Sequence, residues 1–430
     1  MKHLIASVAF FLQFALVNGQ TPVVTNDSLA VYLRELKDAT WAHRDLWNKD
    51  LYGPILLVNP ETRQLFANVP DSAGLLKLNG SVYSCVLPEN VNIANTSSHW
   101  NGRDWAMIKL PLPSNKEDRI NLMAHELFHV SQPSLGFRLF NVANNHLDQK
   151  DGRIYLRLEL EALKKAIQCT SSTERKQCLT DAFTFRMFRY SLYPGADSSE
   201  NLLELNEGIA EYTGLIISNM SRDDAVKDIV QRMDQFMTFP TFVRSFAYQT
   251  TPVYGYLLYP DKAGWNREIN IHTNLAVYFI KAFNITLPSN LKARVEEISD
   301  QYNGKLIIAQ ETEREAKAKR LISELKSKFV DQPHFEIRLV KMNISFDPRN
   351  IVPVEDKGSF YKNARITDVW GILMINNGAL MSPGWDKISV SVPLKTENKT
   401  VSGDGWTLEL NDGYKVSKNE NTGNYSLIMP

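Results

Sequence analysis

The chain has 430 residues, 43% hydrophobic and 22% charged, the proportions of a folded globular protein, and at roughly 150 residues per domain it has room for two or three domains. Lysine plus arginine and aspartate plus glutamate balance at 48 each, which argues against a broad basic face for nucleic acid or an acidic membrane surface. With 21 glycines and 19 prolines the chain is neither collagenous nor of low complexity.

Lys2 precedes an apolar run from Leu4 to Val17, and Val17-Asn18-Gly19 offers small residues where a signal peptidase would read. This is the layout of a secretory signal over residues 1–19, with a mature start near Gln20 and a secreted or periplasmic destination. The run is too short for a membrane span, and no later segment reaches the roughly eighteen uninterrupted apolar residues that one needs.

From Leu29 to Asn48 the apolar spacing is loosely helical. Short β-like runs follow at Pro54 to Val58, Gln64 to Val69, Leu75 to Leu78, Ser81 to Leu87 and Trp105 to Leu110, with Asn59-Pro60-Glu61-Thr62 as the plainest hairpin turn. Together they predict a small, mostly antiparallel sheet within residues 20–113. Residues 114–332 read as almost wholly helical, ending in a mixed-charge helix around Glu311 to Lys328 whose Glu313/Lys317 and Glu315/Lys319 pairs suit a solvated face. Residues 333–430 return to strands at Phe335 to Val340, Ile366 to Ile375, Ile388 to Val392 and Trp406 to Leu410, the pattern of a sandwich-like β domain. The expected fold is therefore α+β, with a sheet, a helical region and a C-terminal all-β domain.

Three cysteines are too few for a disulfide scaffold. Cys169 and Cys178 bracket a polar stretch that reads as a turn between helices, where export permits a disulfide, while Cys85 reads as a small core residue. Asn79-Gly80-Ser81, Asn95-Thr96-Ser97, Asn343-Ile344-Ser345 and similar triplets are glycosylation sequons if the source is eukaryotic.

The chemistry concentrates in Met123-Ala124-His125-Glu126-Leu127-Phe128-His129-Val130. His125 and His129 are four apart, so on a helix they share a face one turn apart and can hold one metal ion, with Glu126 beside the first ligand. Ser114 with Glu117 reads as a capping box, Ile120, Ala124, Leu127 and Val130 form an apolar stripe, and Pro133 stops the helix. A catalytic zinc needs a third protein ligand and an open position. Two sources compete. Glu200, Glu204, Glu207 and Glu211 recur at spacings of four, three and four, a helical stripe of like charge that requires cationic partners. Glu159 or Glu161 is nearer to His129 in sequence but is interleaved with Arg157, Lys164 and Lys165.

His125-Glu126-Leu127-Phe128-His129 followed by Leu205-Asn206-Glu207-Gly208-Ile209-Ala210-Glu211-Tyr212 resembles the gluzincin zinc metallopeptidases, which include thermolysin and the aminopeptidase-N family. The second segment is similar to the Asn-Glu-Gly-Phe-Ala-Glu/Ser-Tyr helix of the aminopeptidase-N group. The resemblance implies one zinc ion held by His125, His129 and Glu207, Glu126 as general base, and Glu211 hydrogen-bonded to a ligand histidine. It further implies a tyrosine that binds the oxyanion. Phe246-Ala247-Tyr248-Gln249-Thr250-Thr251-Pro252 weakly resembles the aminopeptidase-N segment Tyr-x-Lys-Gly, which nominates Tyr248, with Tyr254 and Tyr256 as nearby alternatives. The implied partner is a peptide or protein substrate.

Two departures mark this chain. The gap from His129 to Glu207 is longer than the family spacing, so Ser131 to about Pro194 should form an inserted helical hairpin, and the Gly-x-Met-Glu-Asn segment that binds a free substrate amine is absent. In its place Trp105 to Leu110 reads as an edge strand suited to pairing with a peptide backbone. Two rival readings stand beside the peptidase: a structural or degenerate zinc site in a binding module, and a C-terminal domain that binds protein, or glycan through Trp370, Trp385 and Trp406.

Overall fold

The structure, a computed structural model, describes residues 25–88, 91–137, 144–346 and 351–429. The signal segment expected over residues 1–19 lies outside the described residues. The chain divides into two compact units, one ending at Glu311 and one starting at Thr312. It is an α+β fold in which a helical middle region lies between an N-terminal sheet and a C-terminal all-β region.

In the first unit, helix α1 (Asn26–Ala42) precedes a six-stranded sheet. Its strands are β1 (Ile55–Val58), β2 (Gln64–Ala67), β3 (Lys77–Asn79), β4 (Val82–Val86), β5 (Thr96–Trp100) and β6 (Arg103–Lys109), in the order β3-β4-β2-β1-β6-β5. All neighbours are antiparallel except β1 and β6. The Ile-Leu-Leu-Val sequence of β1 is buried on both faces: Ile55 and Leu57 join the core beneath the helices, while Leu56 and Val58 join a smaller core on the opposite face. Trp105 to Leu110 is not an edge strand, because β6 lies between β1 and β5. The edge is β5, which alternation missed because Thr96-Ser97-Ser98-His99 has no apolar residue to mark it.

The helical region comprises α2 (Lys116–Ser131), α3 (Lys150–Gln168), α4 (Ser172–Leu192), α5 (Ala196–Leu203), α6 (Ile209–Ser218), α7 (Arg222–Phe236), α8 (Ala247–Leu258), α9 (Leu275–Ala282), α10 (Leu291–Ile298) and α11 (Gly304–Lys326). The cap of α2 is Asn115, whose side chain accepts from Asp118 N at 2.9 Å, rather than a Ser114/Glu117 box. Helices α3 and α4 form the expected helical hairpin; Cys169 ends α3, Cys178 lies within α4, and both are free thiols, not a disulfide. Glu313–Lys317 and Glu315–Lys319 pair on the exposed face of α11 at 2.6 and 3.2 Å. Among the described residues no helix is long and apolar enough to cross a membrane.

The second unit packs a seven-stranded and a six-stranded sheet around one core containing Phe335, Ile337, Val390, Leu373, Val401 and Leu408. Trp370 and Trp406 are core residues with indole N–H groups donating to Arg338 O and Ser391 O. Trp385 alone of the three is exposed, so they do not form a common sugar-stacking face.

One packing feature governs the rest. The hairpin carries Glu159, Arg186 and Arg189 into the interior, all with essentially no exposure. Arg189 makes a two-pronged pair with Glu200 (2.9 and 2.7 Å), and Arg186 makes one with Glu204 (2.9 and 2.8 Å). Glu159 bridges the two arginines at 2.7 and 2.9 Å and accepts from Tyr254 OH. Burial alone would push the Glu200 carboxyl up, but Arg189 and a hydrogen bond from His146 bring it down to about 2.

Because Glu200 titrates below its ordinary value of 4.5, its stabilisation is complete above that value and is lost as pH falls from there towards about 2. Glu200→Gln should remove that part of the acid sensitivity. It should also cost about 3–5 kcal/mol at neutral pH, since Arg189 is left sharing Glu159 with Arg186 as its charge partner inside the protein. Denaturant titrations of both proteins between neutral pH and acid measure both effects.

Candidate metal centre

Helix α2 crosses α6 closely because Gly214 has no side chain: a Cβ there would lie 2.2 Å from Asn121 Oδ1 and 2.6 Å from Asn121 O. Between α5 and α6 the chain makes a single π turn, Glu204–Gly208, whose wider winding separates the predicted stripe of four carboxylates. Glu200 and Glu204 face the arginines, while Glu207 and Glu211 face the histidines. Gly208 admits α8 against this turn, because a Cβ would stand 2.6 Å from both Thr251 Cβ and Thr251 Oγ1. Helix α8 thereby brings Tyr248 over the site.

The Nε2 atoms of His125 and His129 lie 3.0 Å apart, and Glu207 Oε2 is 3.6 Å from the first and 3.3 Å from the second. These three residues can hold a metal ion. Ligand atoms about 2.0–2.1 Å from a tetrahedral ion are separated by about 3.3–3.4 Å, so the spacing fits.

The outer hydrogen bonds fix which ring nitrogens face inward. His125 Nδ1–H donates to Glu211 Oε2 at 3.0 Å, and Glu211 also accepts from Arg232 and, at 3.3 Å, from Asn121 Nδ2. Burial would raise the Glu211 carboxyl, but Arg232 and His125 hold it down at about 2, so it is an acceptor. On the other side, Gln132 Nε2 donates to Asn206 O at 2.9 Å, which turns its Oε1 towards His129 Nδ1 at 2.8 Å. That ring nitrogen must therefore carry the proton. With both Nδ1 atoms protonated, the two Nε2 atoms face each other and a carboxylate oxygen, an arrangement that a metal ion between them would satisfy.

Protons alone answer the same demand at a different cost. Burial pushes His125 down, yet the hydrogen bonds of Glu207 and Glu211 raise it to about 10. Glu207, opposed by its own burial, falls well below the usual carboxylate range beside His129 and His125. Glu126 is buried next to this charge. Burial raises its carboxyl above the ordinary range, against the pull of the two histidines, and among the described residues its Oε2 has no hydrogen-bond partner. The ring of Tyr248 stacks on His125 (centroids 5.5 Å, planes 8° apart), and its hydroxyl donates to Glu207 Oε2.

The structure thus brings together His125, Glu126, His129, Glu207, Glu211 and Tyr248. Glu159 and Tyr254 belong to the arginine network instead, and Glu161 pairs with Lys164 at 2.7 Å. Tyr256 is half-buried on α8 and takes no part in the cluster. The sequence reading missed Gln132 and Arg232. Gln132 was accessible to it, three residues after His129 on the same helical path, whereas Arg232 reaches Glu211 from α7 and left no local signal. No family model, no curated protein and no solved structure matches the chain.

Metal analysis of the purified protein should find one ion per chain, lost in His129→Ala and Glu207→Ala. Glu159→Ala should keep the ion while lowering the unfolding midpoint, because its loss leaves Arg186 and Arg189 short of charge. Gly208→Ala should cost about 1–3 kcal/mol by forcing the π turn away from Thr251, and should weaken metal binding in competition with a chelator.

Proposed function

We propose that this protein is an exported zinc metallopeptidase in which His125, His129 and Glu207 hold one zinc ion and Glu126 is the general base. The observation that carries the reading is the unpartnered, buried Oε2 of Glu126 beside three converging ligand atoms. A structural metal site has no need of a free carboxylate at its side. Two nitrogens and one carboxylate oxygen, with no fourth protein ligand among the described residues, are the donor set of a catalytic zinc rather than of a four-ligand structural site. The resemblance of both motifs to the gluzincins supports the same assignment.

When bound, zinc supplies Lewis-acid chemistry, polarising a peptide carbonyl and lowering the pKa of a water molecule. The chain's own groups do the rest. Glu126 takes the water's proton on its carboxylate, holds it in a buried setting and passes it to the departing amine nitrogen. Its raised proton affinity suits that task better than an ordinary surface carboxylate. Tyr248 keeps its hydroxyl proton, since burial and the nearby Glu207 both raise its pKa, and that proton, given to Glu207 in this structure, turns to a developing oxyanion when one forms. Glu211 and Gln132 keep the two imidazoles oriented, and Arg232 keeps Glu211 ionised.

Glu126→Gln preserves size but accepts no proton. It should retain the metal ion while hydrolysis of a peptide library, read by mass spectrometry, falls by roughly two to four orders of magnitude. Turnover close to that of the parent protein would show that another group activates the water, and an inactive parent carrying its full metal content would overturn the peptidase reading.

A further inference from the structure

The sequence holds eight Asn-x-Ser/Thr triplets, and none of their asparagines is buried. Four of them occupy one kind of place. Asn79 is the last residue of β3, and Asn95 immediately precedes β5; these strands are the two edges of the N-terminal sheet. Asn343 opens the strand Asn343–Phe346, and Asn398 immediately follows the strand Pro393–Glu397; these are the two edges of the six-stranded C-terminal sheet among the described residues. Every edge of two sheets therefore has an acceptor triplet on it or next to it. The seven-stranded sheet is protected differently, by Lys415 and Lys418 on one edge strand and Pro353 on the other.

Edge strands present unpaired backbone donors and acceptors that a second chain can join at a spacing of about 4.7–4.9 Å. Two of the four edges add an apolar lure: Leu78 on β3 is 67% exposed, and Leu394 on the Pro393–Glu397 strand is 74% exposed. A hydrated oligosaccharide rooted beside such an edge denies another strand that approach. The asparagines are also chemically available. Asn79, Asn343 and Asn398 are exposed, and Asn95 is held through its carbonyl oxygen, which accepts from Lys109 N at 2.8 Å.

We propose that Asn79, Asn95, Asn343 and Asn398 are N-glycosylated and that their glycans shield the four sheet edges from pairing with a second copy of the chain. The inference rests on export through a eukaryotic secretory pathway, not on the metal site. In the coupling step the Asn Nδ2 forms a bond to the anomeric carbon of an oligosaccharide carried on a polyprenyl diphosphate. The bond from that carbon to the diphosphate oxygen breaks, the lipid diphosphate leaves, and Nδ2 gives up one proton.

The test is expression of the full chain with its own leader in a eukaryotic secretory host. Peptide mapping after enzymatic glycan release should find aspartate at all four positions. Ser81→Ala, Ser97→Ala, Ser345→Ala and Thr400→Ala together remove the acceptors while keeping each asparagine and its hydrogen bonds. By light scattering the combined variant should shift from monomer to higher mass, whereas Thr286→Ala, which removes the Asn284 triplet at the end of α9, should not. Native deglycosylation of the folded parent protein should produce the same shift, and it decides the matter if the combined variant is not secreted. Unmodified asparagines at the four edges, or deglycosylated protein that stays as monomeric as its parent, would overturn the proposal.

Discussion

The fold depends on how four glutamates in one helical run are accommodated indoors. Glu200, Glu204 and Glu211 are buried and Glu207 nearly so, and carboxylates so placed are tolerated only with charge partners and full hydrogen bonding. The chain divides them. Two go to arginines on α4, one goes to Arg232 and a histidine ring, and the remaining one faces the paired Nε2 atoms. The π turn at Glu204–Gly208 makes the division possible, because a continuous α-helix would have left all four on one stripe. Metal-binding geometry here is thus a remainder: Glu207 meets the histidines because its neighbours are already satisfied elsewhere.

Gly208 and Gly214 add the second constraint. Both stand where a side chain would collide with the adjacent helix, and both lie within the same short segment as Glu207 and Glu211. Close backbone approach, rather than long side chains, sets the distances in the cluster. A site held by such contacts has little slack, which is what a constellation needs if proton transfer and metal retention are to share one set of atoms.

Much of this was legible in the sequence, for identifiable reasons. The four-residue spacing of His125 and His129 forces them to one face wherever a helix forms, and Trp406, Leu408 and Leu410 alternate towards the core along one strand. Edge strand β5 was not legible, since its Thr-Ser-Ser-His run carries no burial signal. Nor was the cap at Asn115, where neighbouring Ser114 and Asn115 are equally good caps and tertiary packing chose between them. The π turn was invisible because winding by one extra residue leaves no compositional trace. The spread of the three tryptophans was hidden because burial of an indole depends on which sheet faces the core.

The hairpin of α3 and α4 has a consequence for the trimming of this chain. Between His129 and Glu207 the sequence spends two long helices, and by length alone they look dispensable. Yet Arg186 and Arg189 sit on the second of them, and they are the counterions of two carboxylates that immediately precede the metal-facing turn. A shortened version would not return to a simpler scaffold; it would strand negative charge in the interior one turn from Glu207. Glu200 and Glu204 would have to change in the same step, so the hairpin and the acidic helix can be lost or exchanged only as a pair.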